Sequence, residues 1–435
     1  MQSISLLTRR IYKSTRLLYR SLCKEAKRSF PKVNGEWLMD QYPDIALVTT
    51  NSHQLVDSLV RRIQAKNHEV AEELVDELKS SFEFYKFKLA RTKDISQKLT
   101  SEKLSPLTLS DLRSEFRASL RDTKVAYTDF MDLYNSFPNI IEHNDINQKV
   151  AVKSCLADTV IPSLKWTGFD QENRDDYQRS GYLTGEAAIK QLELQGFACE
   201  YLEQFKMVPV TFPSFVRQEV TAQSGVSTML DSDIYTLLTK PEMHADADSS
   251  LDKSDRSNRK AKSEDNFVYQ VHGLSEILLM TFFIRRNLAN HLPFWLYSIG
   301  NQYRMPCSGE MAQSMVVPFV GACSTNQEAL AHFHFGVNLI EEFWKVLKLD
   351  VIKIAVEPHH LSQHEACATE FIMKYTQKTG RRTVLSRMSL SNDYVGRRIM
   401  AYTKCSQDNT ISFDEKFCFF ATGNLVDISA LIANI

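Results

Sequence analysis

The chain has 435 residues, of which 43% are hydrophobic and 24% charged, so it can bury a large core and is too apolar to be disordered. Its formal net charge of -1 excludes a chain-wide field that attracts nucleic acid, so such binding must come from local patches. No apolar run approaches the roughly 20 residues of a membrane span. The eight cysteines include no C-x-x-C pair and suggest neither a zinc site nor a disulfide framework.

Residues 1–30 have the composition of a mitochondrial transit peptide. The first 24 residues carry six basic side chains and no Asp or Glu, and the bases interrupt the Leu and Ile residues at helical spacing. A secretory signal would need a continuous apolar stretch instead. We therefore predict import into the mitochondrial matrix, with a basic amphipathic surface helix as the alternative.

Residues 31–145 are predicted to form a long antiparallel helical hairpin. From Gln54 to Leu99 there is no Pro or Gly, and apolar residues recur every three, four or seven positions, which predicts one long amphipathic helix. Pro106 interrupts this pattern, and a second apolar stripe follows until Pro138 ends it. Two long helices with a short connection should pack side by side.

Residues 146–435 are predicted to form an α+β core. Short β-branched and aromatic runs, such as 351–356 and 417–421, alternate with helical stretches. Residues 241–266 contain almost no large apolar side chain and cannot bury enough surface to offset the entropy of ordering. We therefore predict a disordered insert there.

Five segments, in chain order, resemble class II seryl-tRNA synthetases. The sequence SFPNIIEHND (136–145) is similar to the linker of that family, and residues 180–216 resemble its entry segment and motif 1. The sequence GLSEILL (273–279) is similar to the segment that recognises serine, SIGNQYRMP (298–306) to motif 2, and SRMSLSNDYVGRRI (386–399) to the Ser-rich segment that ends in two arginines. The resemblance implies a class II synthetase core with an antiparallel sheet, preceded by a coiled-coil arm. Within the family, the chain is most similar to the seryl-tRNA synthetase-like insect mitochondrial proteins, a catalytically inactive group of paralogues.

The resemblance fails where the family binds ATP. Motif 2 reads Phe-Arg-x-Glu in the family, and here Tyr303 and Arg304 match while Pro306 replaces the Glu that recognises adenine. Motif 3 carries Gly-x-Gly-x-x-Arg, whereas residues 420–435 hold one glycine and no arginine follows Arg398. Adenylate formation needs positive charge where the phosphate gains negative charge. We therefore predict a pseudo-enzyme without a cofactor.

The resemblance places four residues in a vestigial ATP and serine pocket: Arg304, Glu276, Arg397 and Arg398. Leu274 replaces a Thr whose hydroxyl reads serine, so the hydrogen bond that discriminates this substrate is lost. Glu276 is either a remnant that pairs with Arg397 or Arg398, or a structural carboxylate whose hydrogen bonds are satisfied. An enzyme with altered chemistry in this pocket is the least supported alternative.

Histidines in the core are weak candidates for metal ligands. His360 and His364 lie four residues apart with Glu357 and Glu365 beside them, a spacing that suits two ligands on one helix face. Pro358 and the β-branched run before it indicate a strand-to-loop position instead. We predict no metal site.

Basic residues cluster on the predicted hairpin, the part with which the family grips tRNA. They are Lys86, Lys88, Arg91 and Lys93 on the first helix and Arg113, Arg117, Arg121 and Lys124 on the second. Point charges of this kind suit phosphate contacts rather than base readout. A solvated charged face is an equally open alternative.

The motif 1 resemblance predicts a dimer interface built from apolar residues. These are Phe197, Tyr201, Phe205, Val208, Pro209 and Pro213. Such a face should not stand in water, so we expect a partner subunit. The resemblance implies a heterodimer with the genuine mitochondrial seryl-tRNA synthetase that supports tRNA charging and translation, and a homodimer is the runner-up. The alternative function is a mitochondrial nucleic-acid-binding module, for serine tRNA, another RNA or DNA, that acts through the basic arm.

Overall fold

The computed structural model describes residues 43–63, 68–101, 106–142, 150–152, 183, 185–217, 235–237, 269–271, 276–289, 291–304, 312–373, 383–404 and 416–434. The predicted transit peptide (1–30) and the predicted insert (241–266) lie outside these described residues. Leu274 and Pro306, which mark two of the predicted departures from the family, also lie outside them. None of the helices in these ranges combines the length and the apolar character that a membrane crossing requires.

Four helices form the N-terminal arm. They are α1 (Ile45–Thr49), α2 (Ser52–Ile63), α3 (His68–Ser101) and α4 (Pro106–Ser136). At a rise of about 1.5 Å per residue, α3 and α4 extend for roughly 45 to 50 Å. They pack antiparallel, and the ring centroids of Phe82 and Phe130 and of Tyr85 and Tyr127 are 5.2 Å apart in each pair. The predicted helical hairpin is confirmed.

The first half of this hairpin differs from the prediction, because the helix expected from Gln54 to Leu99 is two helices. α2 folds back against α3, so that Leu59 packs in the same apolar cluster as Leu78. On one straight helix these two residues would be about 28 Å apart. The periodicity hid the break because both helices turn an apolar face toward one cluster.

The core contains strands in one large and two small sheets. The described strands are β1 (Val150–Val152), β2 (Val208–Pro209), β3 (Phe215–Arg217), β4 (Tyr235–Leu237), β5 (Tyr269–Val271), β6 (Phe294–Tyr297), β7 (Gly300–Arg304), β8 (Ala312–Cys323), β9 (Val351–Ala355), β10 (Cys367–Met373), β11 (Val384–Asn392), β12 (Tyr402–Lys404), β13 (Lys416–Phe417) and β14 (Phe419–Asp427). The large sheet runs β1-β9-β10-β11-β14-β8-β6-β2, with β7 also paired to β8. Within it β2 and β6 are parallel, and all the other pairs are antiparallel.

Helices cover both faces of the large sheet. The core helices are α5 (Gly185–Gln204), α6 (Glu276–Thr281), α7 (Asn326–Val346), α8 (Tyr394–Ile399) and α9 (Ile428–Asn434), with a 3₁₀ turn at Pro358–His360. α5, α7 and α9 share one apolar cluster with the sheet, and α6 and α8 share another on the opposite face. The α+β architecture with an antiparallel sheet is therefore confirmed, and the arm attaches on the side of α8.

Candidate functional site: a charged cluster, a basic arm and an exposed helix face

One arginine and three glutamates form a charged cluster on the sheet face opposite α7. The neighbouring Ser386 of β11 accepts a hydrogen bond from Trp344 of α7, so the alternation of strand side chains directs Arg387 to the other face. Arg387 lies directly across from Glu370 of β10, and Glu365 precedes that strand. Glu276, the first residue of α6, is close enough to Arg387 to stabilise its charge. We call Arg387, Glu365, Glu370 and Glu276 the Arg387 cluster.

The guanidinium of Arg387 is held by two carboxylates at once. Its Nε donates to Oε1 of Glu365 at 2.8 Å and its Nη2 donates to Oε2 at 2.6 Å, while Nη1 donates to Glu370. The side chain of Glu365 is only 3% exposed, against 25% for Arg387. A bidentate pair of this kind is among the strongest charge-assisted contacts in proteins. The cluster keeps a formal charge of -2, from three carboxylates and one guanidinium.

Burial and neighbouring charges shift the pKa values of Glu365 and Arg387 in opposite directions. Burial raises the pKa of Glu365, but the charge and hydrogen bonds of Arg387 outweigh it and lower the pKa to about 2. Burial likewise lowers the pKa of Arg387, and Glu365 with Glu370 raises it above its ordinary value. The pKa of buried His364 is lowered, chiefly by burial, so its imidazole is neutral at pH 7.

The predicted pocket residues Arg397 and Arg398 contact the arm. Arg397 pairs with Asp393 at 2.7 Å and with Asp44 of the arm at 3.5 Å. Arg398 is 2% exposed, and its guanidinium carbon lies 3.5 Å from the ring centroid of Tyr394 and 5.2 Å from that of Tyr134. These two arginines therefore join the arm to the core.

Arg304 ends β7, where it pairs with Ala312, and its side chain lies outside the described part of the chain. Sequence reasoning missed Arg387 and Glu370, and it considered Glu365 only as a neighbour of the histidine candidates. A charge inside a strand such as CATEFIM was a usable signal, because buried strands carry charged residues only when these are paired.

The C-terminal strand and helix carry no positive charge. The sequence contains no Lys or Arg from Phe417 to Ile435. Oδ1 of Asp427 accepts a hydrogen bond from Ala430 N at 2.8 Å and so caps α9. Ser429 accepts a hydrogen bond from Met315 N at 2.8 Å. This segment is structural core.

The basic residues of the arm fall into two groups. Lys88 pairs with Asp122 at 3.3 Å, Arg91 with Glu115 at 3.3 Å, and Lys86 with Glu83 at 2.9 Å. These three charges are neutralised within the arm.

The remaining five basic residues are exposed, and among the described residues they have no acidic partner within ion-pair distance: Lys93, Arg113, Arg117, Arg121 and Lys124. The four on α4 fall within about 80° of its circumference, on the side turned away from α3. We call Arg113, Arg117, Arg121 and Lys124 the α4 stripe.

The structure corrects the predicted dimer face. Tyr201 is 6% exposed and its hydroxyl donates to Leu339 O at 2.8 Å, so it faces α7 of its own chain. Phe197 is half-buried against Phe343 of the same helix. The sequence pattern could not show that α7 already covers these rings. Of the six predicted residues, only Phe205, Pro209 and Pro213 are exposed, and Val208 is half-buried.

The exposed apolar residues of α5 are different ones. Leu192 is 66% exposed and Ile189 is 55% exposed. Gly185 and Gly196 flank them on the same face, within about 60° of the helix circumference. A Cβ on either glycine would meet no atom within 4 Å. We call Gly185, Ile189, Leu192 and Gly196 the α5 face.

The spacing of the α5 face reads the same in both directions, with steps of four, three and four residues. Two copies of α5 packed antiparallel would therefore place Ile189 against the partner's Leu192, and Gly185 against the partner's Gly196. A two-fold contact needs such self-complementarity, and glycine lets two helices approach closely.

The histidine candidates do not converge on a metal site. His359 and His360 stack with ring centroids 4.0 Å apart, His364 is buried, and Glu365 binds Arg387. Within the described ranges no three His, Cys, Asp or Glu side chains are arranged to hold a metal ion.

Comparison with solved structures identifies the fold. The chain is similar to the cytoplasmic serine-tRNA ligase of Naegleria fowleri, solved in complex with AMP, with 16% identity, a TM-score of 0.69, and coverage of 91% of this chain and 92% of that one. It is also similar to the seryl-tRNA synthetase of Pyrococcus horikoshii, solved with ATP, with 16% identity, a TM-score of 0.63, and coverage of 90% and 93%. No protein-family model and no curated protein sequence matches the chain.

The fold is therefore that of a class II aminoacyl-tRNA synthetase, with an N-terminal helical arm on a mixed, mainly antiparallel sheet. Among class II folds it matches that of seryl-tRNA synthetases over nearly the whole chain.

Proposed function

We propose that this chain is a catalytically inactive, seryl-tRNA synthetase-like protein that binds RNA and acts as one subunit of a dimer in mitochondrial translation. The observation that carries the first part is the C-terminal segment, where β14 and α9 form buried core without a Lys or Arg. In the family that the chain resembles, this segment supplies an arginine to the polyphosphate. Loss of one preorganised charged donor typically costs about 100- to 1,000-fold in rate.

Two features of the core support the same conclusion. Arg397 and Arg398, the candidates for a cationic clamp, are engaged in the joint with the arm. Arg387, the cation of the Arg387 cluster, is engaged by Glu365 and Glu370 and so is not left to bind a polyphosphate.

The α4 stripe supports RNA binding. Its four cations have no described acidic partner, and they project from a rigid helix on the side away from α3. Neutralisation of phosphates by such a stripe releases counterions and favours binding without base specificity. Lys86, Lys88 and Arg91 are paired within the arm, so the stripe and Lys93 remain to attract a polyanion.

The α5 face supports a dimer. Two largely exposed apolar side chains between two glycines form a surface that a second helix can cover. We propose the genuine mitochondrial seryl-tRNA synthetase as the partner, because a subunit of similar fold can replace one half of a two-fold contact. A second copy of this chain is the alternative partner, and it would bring two inactive sites together.

Three assays test the proposal. The purified protein should show no serine-dependent pyrophosphate exchange with ATP, and exchange above background would overturn the inactive assignment. A serine tRNA transcript should bind with salt-dependent affinity. Co-expression with the mitochondrial synthetase, followed by native mass measurement, should give a mixed dimer, and two separate homodimers would exclude that partner.

A matrix location is part of the proposal and rests on the basic segment 1–24, which contains no Asp or Glu. If a chain that starts near residue 32 still entered mitochondria, this assignment would be wrong. A thermal-shift screen with nucleotides and amino acids tests the remaining alternative, an altered enzyme.

A further inference from the structure

The loop formed by residues 361–365 is held from two sides by two arginines. From the arm, Nη1 of Arg62 donates to Leu361 O at 3.2 Å and to Ser362 O at 3.1 Å, and its Nη2 donates to Glu365 O. From the sheet, Arg387 donates to both carboxylate oxygens of Glu365. The same carboxylate accepts from Ser362 N at 2.7 Å, which closes the loop on itself.

Asn139, in the linker after α4, ties the arm to this loop. Its backbone N donates to Gln363 O at 2.8 Å, and its side-chain amide donates to His364 O and Ser391 O at 2.9 Å each. Its own carbonyl accepts from Arg62 at 3.1 Å. The side chain of Asn139 is buried, so the two bonds of its amide are shielded from water.

Arg387 is therefore the inner support of the joint. Without it, loop 361–365 would lose both hydrogen bonds that tie Glu365 to β11, and the nearly fully buried carboxylate would lose its main counter-charge. A moved loop would displace the carbonyl acceptors of Arg62 and Asn139. These acceptors are what fix the arm base on the core.

We propose that Arg387 is a positioning residue for the arm: through Glu365 it keeps loop 361–365 in the shape that Arg62 and Asn139 bind, and thereby sets the direction of α3 and α4. In this role Arg387 and Glu365 serve the arm joint. The inference rests on the proposed function only in treating the arm as the RNA-binding part.

Hydrogen exchange at two linker amides tests the proposal without RNA. The amides of Asn139 and Glu142 donate to Gln363 O and Ala366 O, at 2.8 Å and 3.0 Å, and neither amide bonds to Arg387. In Arg387→Met, exchange at both should rise about tenfold, as it should in Arg62→Met. Glu370→Gln is the matched control, because it weakens the other side of Arg387 and leaves the loop clamped, and it should change neither amide.

If Arg387→Met does not fold, the double variant Arg387→Met with Glu365→Gln removes the pair without leaving a buried charge, and the same acceleration is expected. Unchanged exchange at Asn139 and Glu142 in a folded variant overturns the proposal.

RNA binding gives a second readout of the same proposal. Arg387→Met should weaken RNA binding several-fold with an unchanged salt slope, because no phosphate contact is removed. If the wild-type protein binds no RNA, the proposed function fails while the exchange result still decides the role of Arg387.

Discussion

Replacement of Leu192 by Ala tests whether the α5 face is a dimer contact. Complete burial of a Leu side chain is worth about 1.5 to 3 kcal/mol, and Leu192 leaves 66% of its surface exposed. A partner that covers it would therefore gain about 1 to 2 kcal/mol per copy. A two-fold dimer contains two copies, so Leu192→Ala should weaken it by about 2 to 4 kcal/mol, roughly 30- to 1,000-fold in Kd.

A heterodimer contains only one copy of Leu192, so the loss should be half as large in free energy. Analytical ultracentrifugation of the protein alone and of the co-expressed pair separates the two cases. A wild-type protein that stays monomeric in both settings, or a Kd that Leu192→Ala leaves unchanged, would refute the interpretation of the α5 face. The stability of the single chain should hardly change, because this side chain packs on little in its own chain.

Gly196→Gln should raise the stability of the single chain and lower the stability of the dimer. Gln is a better helix former than Gly by roughly 0.5 kcal/mol, and a side chain at this position meets no atom of its own chain within 4 Å. The thermal stability of the monomer should rise slightly, while the dimer should weaken because the helices can no longer approach. Glu342→Gln, an exposed change on α7, is the control and should do neither. A Gly196→Gln variant that dimerises as well as the wild type would contradict the close approach.

The other predictions concern the arm and the joint. Replacement of Arg113, Arg117 and Arg121 by Ala should lower the salt slope of RNA binding, measured by fluorescence anisotropy, by about 2 to 3, since each phosphate contact contributes about 0.7 to 0.9; an unchanged slope would favour a merely solvated face. His364 has a lowered pKa, chiefly because it is buried, with Glu365, Arg387 and Arg62 around it. The contribution of neutral His364 to the free energy of unfolding is fully present above the unfolded pKa of about 6.5. It is lost as the pH falls below that value, by up to about 1.4 kcal/mol per pH unit. Between pH 7 and 5, the free energy of unfolding, measured with denaturant, should fall less steeply for His364→Gln than for the wild type. An equal fall in both proteins would mean that other groups set the pH dependence.

The outline of the fold could be predicted from the hydrophobic periodicity and from the prolines that end helices. Pro106 and Pro138 bound the second arm helix in the prediction, and the structure gives α4 as Pro106–Ser136. The break between α2 and α3 was not accessible, because no Pro or Gly marks it and both helices face one cluster. Local sequence reports which face of a helix is apolar, but it does not report where the chain reverses.

The site was less accessible, because it depends on which elements meet. The pair Arg397 and Arg398 lies close in sequence to Arg387, yet their environments differ: the pair meets the arm, and Arg387 meets Glu365. Similarly, Tyr201 and Leu192 are both apolar residues of one helix. Only the position of α7 shows that the first is core and the second is surface.

Under the proposed function, the packing of β14 and α9 would make a phosphate-binding segment hard to restore. A Cβ on Gly423 would lie 2.6 Å from Phe319 and 2.9 Å from Met388, and α9 buries Leu431 and Ile432 in the same apolar cluster. An arginine in place of Leu431 or Ile432 would put an unpaired guanidinium in that cluster, at a cost of several kcal/mol. If the chain is inactive, as proposed, such a substitution alone would lower its stability without restoring activity. The packing would then act as an evolutionary ratchet that favours roles based on shape and surface charge.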